Sequence, residues 1–360
     1  IVVDAGDLAT SGVVPLSGET FRCHERFNLI YRTLCAILYN FVPTSGHPGG
    51  SISSGYLAAG LVWETMDYDF SRPLADENDI ISYAAGHKTM GLYALWALRN
   101  ELIRLGAPAL LPEEKLQLRL EDLLGFRRNP GWDTPLFRKY HAKALDGHPT
   151  PATPFVKLAT GASGVGLAAS FGLALGALDA YGANAPRVHV LEGEGGLTPG
   201  RCGEAMACAA TSQLHNIVVH LDWNQASIDS NQVCREGVKR GDYVQWSPEE
   251  LFFLHDWNVI RVPLGLDPAS VLTAQRLLKE GLGNRQPTAV IYRTVKGWKY
   301  GIEGRASHGA GHKFCAPEFY RSLEEFEQAF GVTFPRCDAR KDPVKIEQSY
   351  YDTLLTVRRV

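Results

Sequence analysis

The feature that most constrains the fold is an alternation of short apolar runs, glycine-rich turns and helical stretches in the second half of this 360-residue chain. Strands that alternate with helices are joined by crossovers and therefore form a parallel sheet. The predicted strands cover residues 155–159, 188–191, 216–222, 259–262 and 288–292, and the predicted helices cover residues 165–181 and 201–212. The pattern predicts an α/β fold: a doubly wound, mostly parallel sheet with helices on both faces.

The first half of the chain adds helices to this sheet. Apolar residues recur at helical spacing over residues 21–41, 55–66 and 91–105, and a short apolar run covers residues 80–84. A further helix is predicted over residues 112–124, in a polar region. We predict a loose N-terminal arm over residues 1–20, one α/β domain over 21–330 and a tail over 331–360.

Charge and composition exclude several classes of function. The 36 basic side chains nearly balance the 39 acidic ones, which argues against binding to nucleic acid or to a membrane surface through bulk electrostatics. The seven cysteines show no zinc-like spacing and suit a reducing compartment, so we expect a cytoplasmic protein. No apolar run approaches the ~18 residues of a membrane helix, and the start of the chain lacks the pattern of a signal peptide.

Polar residues follow two of the predicted strands, at the edge where ligands bind in parallel sheets. Glu192, Glu194 and Gly195 follow one strand, and Asn224 and Ala226 follow the next. A carboxylate, an amide oxygen and a backbone carbonyl are ligands that Mg²⁺ selects, and glycines let a diphosphate approach the backbone. Alone, the Gly-Glu-Gly sequence is more often a tight turn, but its pairing with Asn224 favours a metal–diphosphate site.

Two other kinds of site are disfavoured by spacing. His308 and His312 lie four residues apart, but the Gly-Ala-Gly between them disfavours a zinc-binding helix. Residues 161–166 have the pattern GxxGxG, which differs from the GxGxxG of dinucleotide-binding proteins.

A basic cluster is open to two interpretations, an anion site or a solvated loop. It comprises Arg293, Lys296, Lys299, Arg305 and Lys313.

The segment VLEGEGGLTPGRCGEA, followed by LDWNQASID, resembles the thiamine-diphosphate motif of the transketolase family. Six further blocks occur in the order found in the first domain of that family, which has the thiamine-diphosphate-binding fold of the diphosphate type. They are SGHPGGSISSGYLAAGLVW, AAGHKTMGLYAL, GHP, ATGASGVG, RTVKG and SHGAGH. The resemblance covers roughly residues 20 to 320.

The resemblance implies a role for each matching residue. Thiamine diphosphate and Mg²⁺ or Ca²⁺ are the implied cofactors, with the metal held by Glu194, Asn224 and the carbonyl of Ala226. The diphosphate is expected to lie against His87, Gly161, Ser163 and Gly195. His47, His148 and His308 are the implied catalytic residues, lining a channel for a sugar or sugar phosphate. Imidazole suits this role because its pKa of ~6.5 lets it donate or accept a proton near neutrality.

Two departures from the family pattern qualify these expectations. Glu194 stands where the family has Asp, and its extra methylene shifts the carboxylate that should bind the metal. The resemblance also covers only the first half of a transketolase. It therefore implies a partner subunit with the pyrimidine-binding and C-terminal domains, in a heterotetramer of two plus two, and the tail is a candidate docking element.

Three functions remain open at this point. The leading hypothesis is a split transketolase that transfers a two-carbon ketol unit from a ketose to an aldehyde, which His47 and His148 favour because they match sugar-binding positions. The second is a subunit of an enzyme that decarboxylates a 2-oxo acid and transfers the acyl group. The third is a non-catalytic regulatory homologue in which Glu194 has disabled metal binding.

Overall fold

A computed structural model describes residues 1–12, 15–42, 47–127, 135–309, 311–337 and 342–360. Within these ranges six strands form one sheet, in the order β1-β5-β6-β4-β3-β2, and every neighbouring pair is parallel. The strands are β1 Val2–Asp4, β2 Ile80–Tyr83, β3 Val188–Gly193, β4 Ile217–Trp223, β5 Asn258–Val262 and β6 Thr288–Arg293. The predicted α/β class with a parallel sheet is confirmed.

Helices cover both faces of the sheet, as predicted. The first-half helices are α1 Ala5–Ser11, α2 Gly18–Phe41, α3 Pro48–Ser53, α4 Gly55–Gly60, α5 Thr89–Gly106 and α6 Pro135–Tyr140. They are followed by α7 Val165–Tyr181, α8 Gly200–Thr211, α9 Pro248–Leu254, α10 Pro268–Glu280, α11 Pro317–Arg321, α12 Glu324–Phe330 and α13 Pro343–Arg359. One core contains Tyr31, Leu95 and Ile260, and a second contains Phe171 and Trp257.

Two predicted elements are wrong. Residues 155–159 form no strand, because Phe155 has a positive φ of 63° and its ring packs on Trp96 at a centroid distance of 4.8 Å. Residues 112–124 contain two short 3₁₀ turns instead of an α-helix. The Lys143 ammonium donates hydrogen bonds to the backbone carbonyls of Glu114 and Lys115, at 3.1 and 2.9 Å. In an α-helix these carbonyls would accept from backbone N–H groups of the next turn.

Both ends of the chain contribute to the fold. β1, within the predicted loose arm, extends the sheet by pairing Val2 with Val259 of β5. Near the other end, Tyr350 and Leu354 of α13 are buried in the first core, and the Tyr350 ring lies 5.9 Å from that of Phe41. Pro43, the predicted stop of α2, lies outside the described residues.

Helix α7 is less buried than a core helix. One side of it packs on the fold through Leu167 and Phe171, while Val165 and Leu175 remain about 40% exposed. The segment Val165–Asn184 is long and apolar enough to cross a membrane by length and composition, so the expectation that no such run exists was wrong. That criterion is weak for a single helix, since a helix that packs on a sheet also meets it.

A buried polar chain crosses the strands. His189 on β3 lies 3.3 Å from Asp79 and 3.1 Å from His220 on β4, and His220 lies 3.3 Å from the hydroxyl of Tyr292 on β6. Both imidazoles are fully buried. Burial, and then the neighbouring His189, hold the pKa of His220 well below its usual value, so this ring is neutral in the native state.

The buried His220 should make the fold sensitive to acid. The unfolded chain binds a proton at this residue below a pH of ~6.5, whereas the native state does not, so stability falls by about 1.4 kcal/mol per pH unit as the pH is lowered from there. We expect His220→Gln to flatten the pH dependence of the unfolding free energy, measured by urea denaturation between pH 7.5 and 5. His215→Gln, at an exposed histidine, is the control. Equal slopes for both variants and the native chain would contradict this assignment.

Candidate active site

The predicted site residues meet at the carboxyl edge of the sheet, because the strands are parallel. His87 lies in the turn after β2, Glu194 follows β3 and Asn224 follows β4. The loop after β6 brings Lys296 to the same place, where its ammonium lies 2.7 Å from Nδ1 of His308.

The three predicted metal donors form one hydrogen-bonded cluster. The backbone N–H of Asn224 donates to Glu194 Oε2 at 3.2 Å, and the N–H of Ala226 donates to Asn224 Oδ1 at 3.1 Å. Burial, with a contribution from Asp222, raises the pKa of Glu194 to about 7. The Lys296 ammonium donates to the carbonyl of Ala226 at 3.2 Å.

These donors fit a hard divalent cation. A carboxylate, an amide oxygen and a backbone carbonyl are the oxygen types that Mg²⁺ prefers. A buried acid with a raised pKa gains ionisation when a cation lies beside it. The Lys296 ammonium uses one of the two lone pairs of the Ala226 carbonyl, so a metal at this oxygen would lie close to a positive charge.

Three imidazoles lie together, and Lys296 connects one of them, that of His308, to the carbonyl of Ala226. The ring of His47 lies 5.1 Å from that of His87 and 4.7 Å from that of His308, and its Nδ1 donates to the His308 carbonyl. Burial, together with the nearby Lys296, lowers the pKa of His308 to about 4. The pKa of His47 is lowered, and that of His87 is held well below its usual value, mainly by burial. These rings are therefore neutral at pH 7.

Close backbone contact shapes the predicted diphosphate turn. A Cβ added to Gly86 would lie 2.7 Å from the Cα of Gly161 and 2.8 Å from the ring of His148, so this position needs glycine. His148 thus lies beside Gly161 and Gly86. Ser163 is exposed, and the described part of the chain shows no hydrogen bond from it to the other site residues.

Gly195 is open where a Cβ would point, since no atom lies within 4 Å of that position. The neighbouring Glu192 is buried, with burial raising its pKa to about 7, and its Oε2 lacks a hydrogen-bond partner among the described residues. A Cβ on Gly196 would lie 2.3 Å from the Glu192 carboxyl carbon, so glycine makes room for this acid.

The sequence analysis missed two charged residues of the site, Lys88 and Asp222, and left two interpretations open for a third, Lys296. Lys88 and Asp222 form an ion pair of 2.6 Å with both side chains nearly fully buried, and Lys296 is 2% exposed. The solvated-loop interpretation is therefore wrong for Lys296. The signals were present, because Lys88 directly follows His87 and Asp222 precedes Asn224 by two residues on a strand.

Other residues of the basic cluster belong to different contacts. Arg293 pairs with Glu236 at 2.6 Å, and Lys299 pairs with Glu325 at 2.9 Å. His312 lies against the carbonyl of Tyr300, at 2.6 Å. No group of three or more His, Cys, Asp or Glu side chains suited to a metal occurs in the described ranges. Three motif residues, Ser45, Gly46 and Ala310, lie outside those ranges.

The fold and these residues define an α/β domain with a cofactor site at the carboxyl edge of its sheet. Residues 115–332 match the family model described as transketolase, thiamine diphosphate binding domain. The chain belongs to this family and corresponds to the N-terminal part of a transketolase. The recognition based on the sequence motifs is confirmed.

Individual relatives agree with this assignment. The chain is 31% identical to human transketolase over 268 residues, which is 74% of this chain and 36% of that protein. It is 27% identical to the transketolase of Buchnera aphidicola over 325 residues, covering 86% of this chain and 40% of the other. The chain thus spans little more than a third of the length of these relatives.

Solved structures show the same fold. Transketolase from Leishmania mexicana has a TM-score of 0.64 at 21% identity, covering 92% of this chain and 45% of the other. A transketolase from Pichia stipitis in complex with sedoheptulose 7-phosphate has a TM-score of 0.67 at 21% identity, covering 93% and 44%. Similarity at this level of identity extends to the fold alone.

The neutral state of His308 provides a test of the site electrostatics. Because Lys296 contributes to the low pKa of His308, we expect Lys296→Met to raise that pKa, measured from the histidine ring signals by NMR. Lys299→Met, which removes an exposed lysine, should leave the titration unchanged. A His308 titration that is identical in the native chain and the Lys296 variant would contradict the arrangement described here.

Proposed function

We propose that this chain is the diphosphate-binding component of a two-component, transketolase-like transferase that depends on thiamine diphosphate and Mg²⁺. The enzyme transfers a two-carbon ketol unit from a ketose, free or phosphorylated, to an aldehyde acceptor. The observation that carries this proposal is the hydrogen-bonded Glu194–Asn224–Ala226 cluster, which Lys296 links to the neutral imidazole of His308, in a domain of this family.

Each residue has a distinct role in this proposal. Glu194, Asn224 and the Ala226 carbonyl hold the metal, and Lys296 contributes positive charge toward the diphosphate. Gly161, Ser163, Gly195 and His87 border the diphosphate, where glycine permits close approach to the backbone. When bound, thiamine diphosphate supplies a carbanion that can cleave a bond next to a ketose carbonyl.

The histidines orient the substrate and handle its protons. A neutral imidazole has one donor and one acceptor. Nδ1 of His47 donates to the His308 carbonyl, so its Nε2 can accept from a sugar hydroxyl. Nδ1 of His308 accepts from the Lys296 ammonium, so its Nε2 can donate to one. His148 borders the same space, next to Gly161. Positioned groups of this kind lower the barrier by fixing the reacting geometry and by moving protons at the substrate oxygens.

A partner subunit follows from the partial coverage of the relatives. We propose that it carries the pyrimidine-binding and C-terminal domains and assembles as a heterotetramer. Apolar side chains beside the site support a covering partner, since Ile228 is 72% exposed and Val295 is 41% exposed. Docking through the tail also remains a proposal. The seven unpaired cysteines fit a cytoplasmic location.

The test of this function is calorimetric titration of thiamine diphosphate with Mg²⁺ into the chain, alone and mixed with a candidate partner subunit. We expect binding to appear or tighten with the partner, and Glu194→Ala to abolish it because the metal loses its charged ligand. Glu204→Ala, at an exposed acid on α8, is the matched control. Absence of binding in every mixture would exclude the catalytic proposal.

One observation favours the non-catalytic homologue as a second candidate. The Lys296 ammonium already donates a hydrogen bond to the carbonyl of Ala226, which places a positive charge where the metal should bind. Glu194 is also longer than the Asp of the family. The variant Glu194→Asp separates the two candidates. If the rest of the site is functional, we expect Glu194→Asp to bind Mg²⁺ and thiamine diphosphate at least as tightly as the native chain. Calorimetry that detects no binding by either form would favour a regulatory role.

A further inference from the structure

The carboxylate of Asp222 lies at the centre of a buried network that includes the proposed metal ligand Asn224. Its Oδ2 accepts hydrogen bonds from the Lys88 ammonium at 2.6 Å, the Ser53 hydroxyl at 2.9 Å and the Asn224 amide Nδ2 at 3.0 Å. Its Oδ1 accepts from the Thr294 hydroxyl. Four donors match the ~four acceptor sites of an ionised carboxylate. Asp222 therefore ties together four separate segments of the chain.

The contact with Asn224 fixes which end of its amide faces the metal site. Asp222 accepts from Nδ2, while the backbone N–H of Ala226 donates to Oδ1. The two ends cannot be exchanged, because a carboxylate offers only acceptors and an N–H only a donor. The amide oxygen is thus held on the side of Ala226 and Glu194, where a metal ligand is required.

Lys88 makes this arrangement possible. Asp222 is 1% exposed, and a buried charge is costly unless it is paired and hydrogen-bonded. The Lys88 side chain is 3% exposed, so its ammonium is in turn paired by Asp222. Its aliphatic part packs closely on Gly50, where a Cβ would approach Lys88 Cε to 3.2 Å. Burial, the ion pair and the close contact with Gly50 therefore fix the positions of Lys88 and Asp222 in the site.

We propose that Asp222, neutralised by Lys88, is a positioning residue that orients the Asn224 amide oxygen toward the divalent metal. This inference rests on the proposed function, because it assigns a role toward the metal of that site. Residues that orient metal ligands typically contribute 10–100-fold to metal affinity. Neither residue contacts the metal or substrate in this assignment.

The test compares two double variants that remove the same pair of charges. In Lys88→Met/Asp222→Asn, the new amide oxygen still accepts from Asn224 Nδ2, and its NH₂ faces the Thr294 hydroxyl, which can accept. In Lys88→Met/Asp222→Leu, the acceptor is lost. The readout is the Mg²⁺ dissociation constant, measured calorimetrically with saturating thiamine diphosphate, with the partner subunit present if binding requires it.

We expect the Asn double variant to bind Mg²⁺ within about threefold of the native chain, and the Leu double variant to bind about 10–100-fold more weakly. Equal affinities for the two variants, whether both weak or both unchanged, would overturn the positioning role. A native chain that binds neither cofactor nor metal would overturn the proposed function itself, and this outcome is distinguishable because it does not involve the variants.

Thermal unfolding of both variants checks that the comparison is made on folded protein. If the Leu variant does not fold, Ser53→Ala/Thr294→Val provides the second test, since it removes two of the four donors and leaves both charges. We expect this variant to weaken Mg²⁺ binding several-fold, because Asp222 is held less firmly. Unchanged affinity in this variant would overturn the inference.

Discussion

Buried charge at the carboxyl edge of the sheet is the constraint on which the site depends. Asp222, Glu192 and Glu194 place three acids there, and Lys88 and Lys296 place two ammonium groups among them. A buried charge without a partner is strongly destabilising, so each ionised group fixes the position of another. The strand ends and the loops that follow them bring these charges together. The pairing of these charges therefore fixes the side chains beside which the imidazoles lie.

The sequence predicted those parts of the fold that have a strong local signal. β3, β4, β5 and β6 were found from apolar runs, and α2, α5 and α7 from helical spacing, because burial on a sheet demands both patterns. β1 was missed, because a strand of three residues at the edge of a sheet is too short to show a recognisable apolar run. The strand predicted over residues 155–159 failed because the left-handed backbone of Phe155 depends on tertiary packing.

The candidate site was predicted less completely than the fold. Motif residues such as Glu194, Asn224 and His308 could be placed from the resemblance, because each lies in a recognisable block. Lys296 also lies in a matching block, RTVKG, but its role stayed open, since a lysine in a polar stretch is normally solvated and only the tertiary structure buries it against Ala226. Asp222 was hidden for a related reason: it lies within a strand prediction, and its donors come from segments distant in sequence.

The position of Lys296 connects the two groups of residues in the candidate site. Its ammonium lies 2.7 Å from Nδ1 of His308 and 3.2 Å from the carbonyl of Ala226, so one cation joins the imidazoles to the predicted metal donors. Burial lowers the pKa of Lys296 to about 8 and raises that of Glu194 to about 7, while the charge of each of these two groups opposes the shift of the other. The ionised forms of Lys296 and Glu194 therefore stabilise each other. In the proposed function a bound diphosphate would add negative charge beside Lys296 and would favour its charged form in the same way.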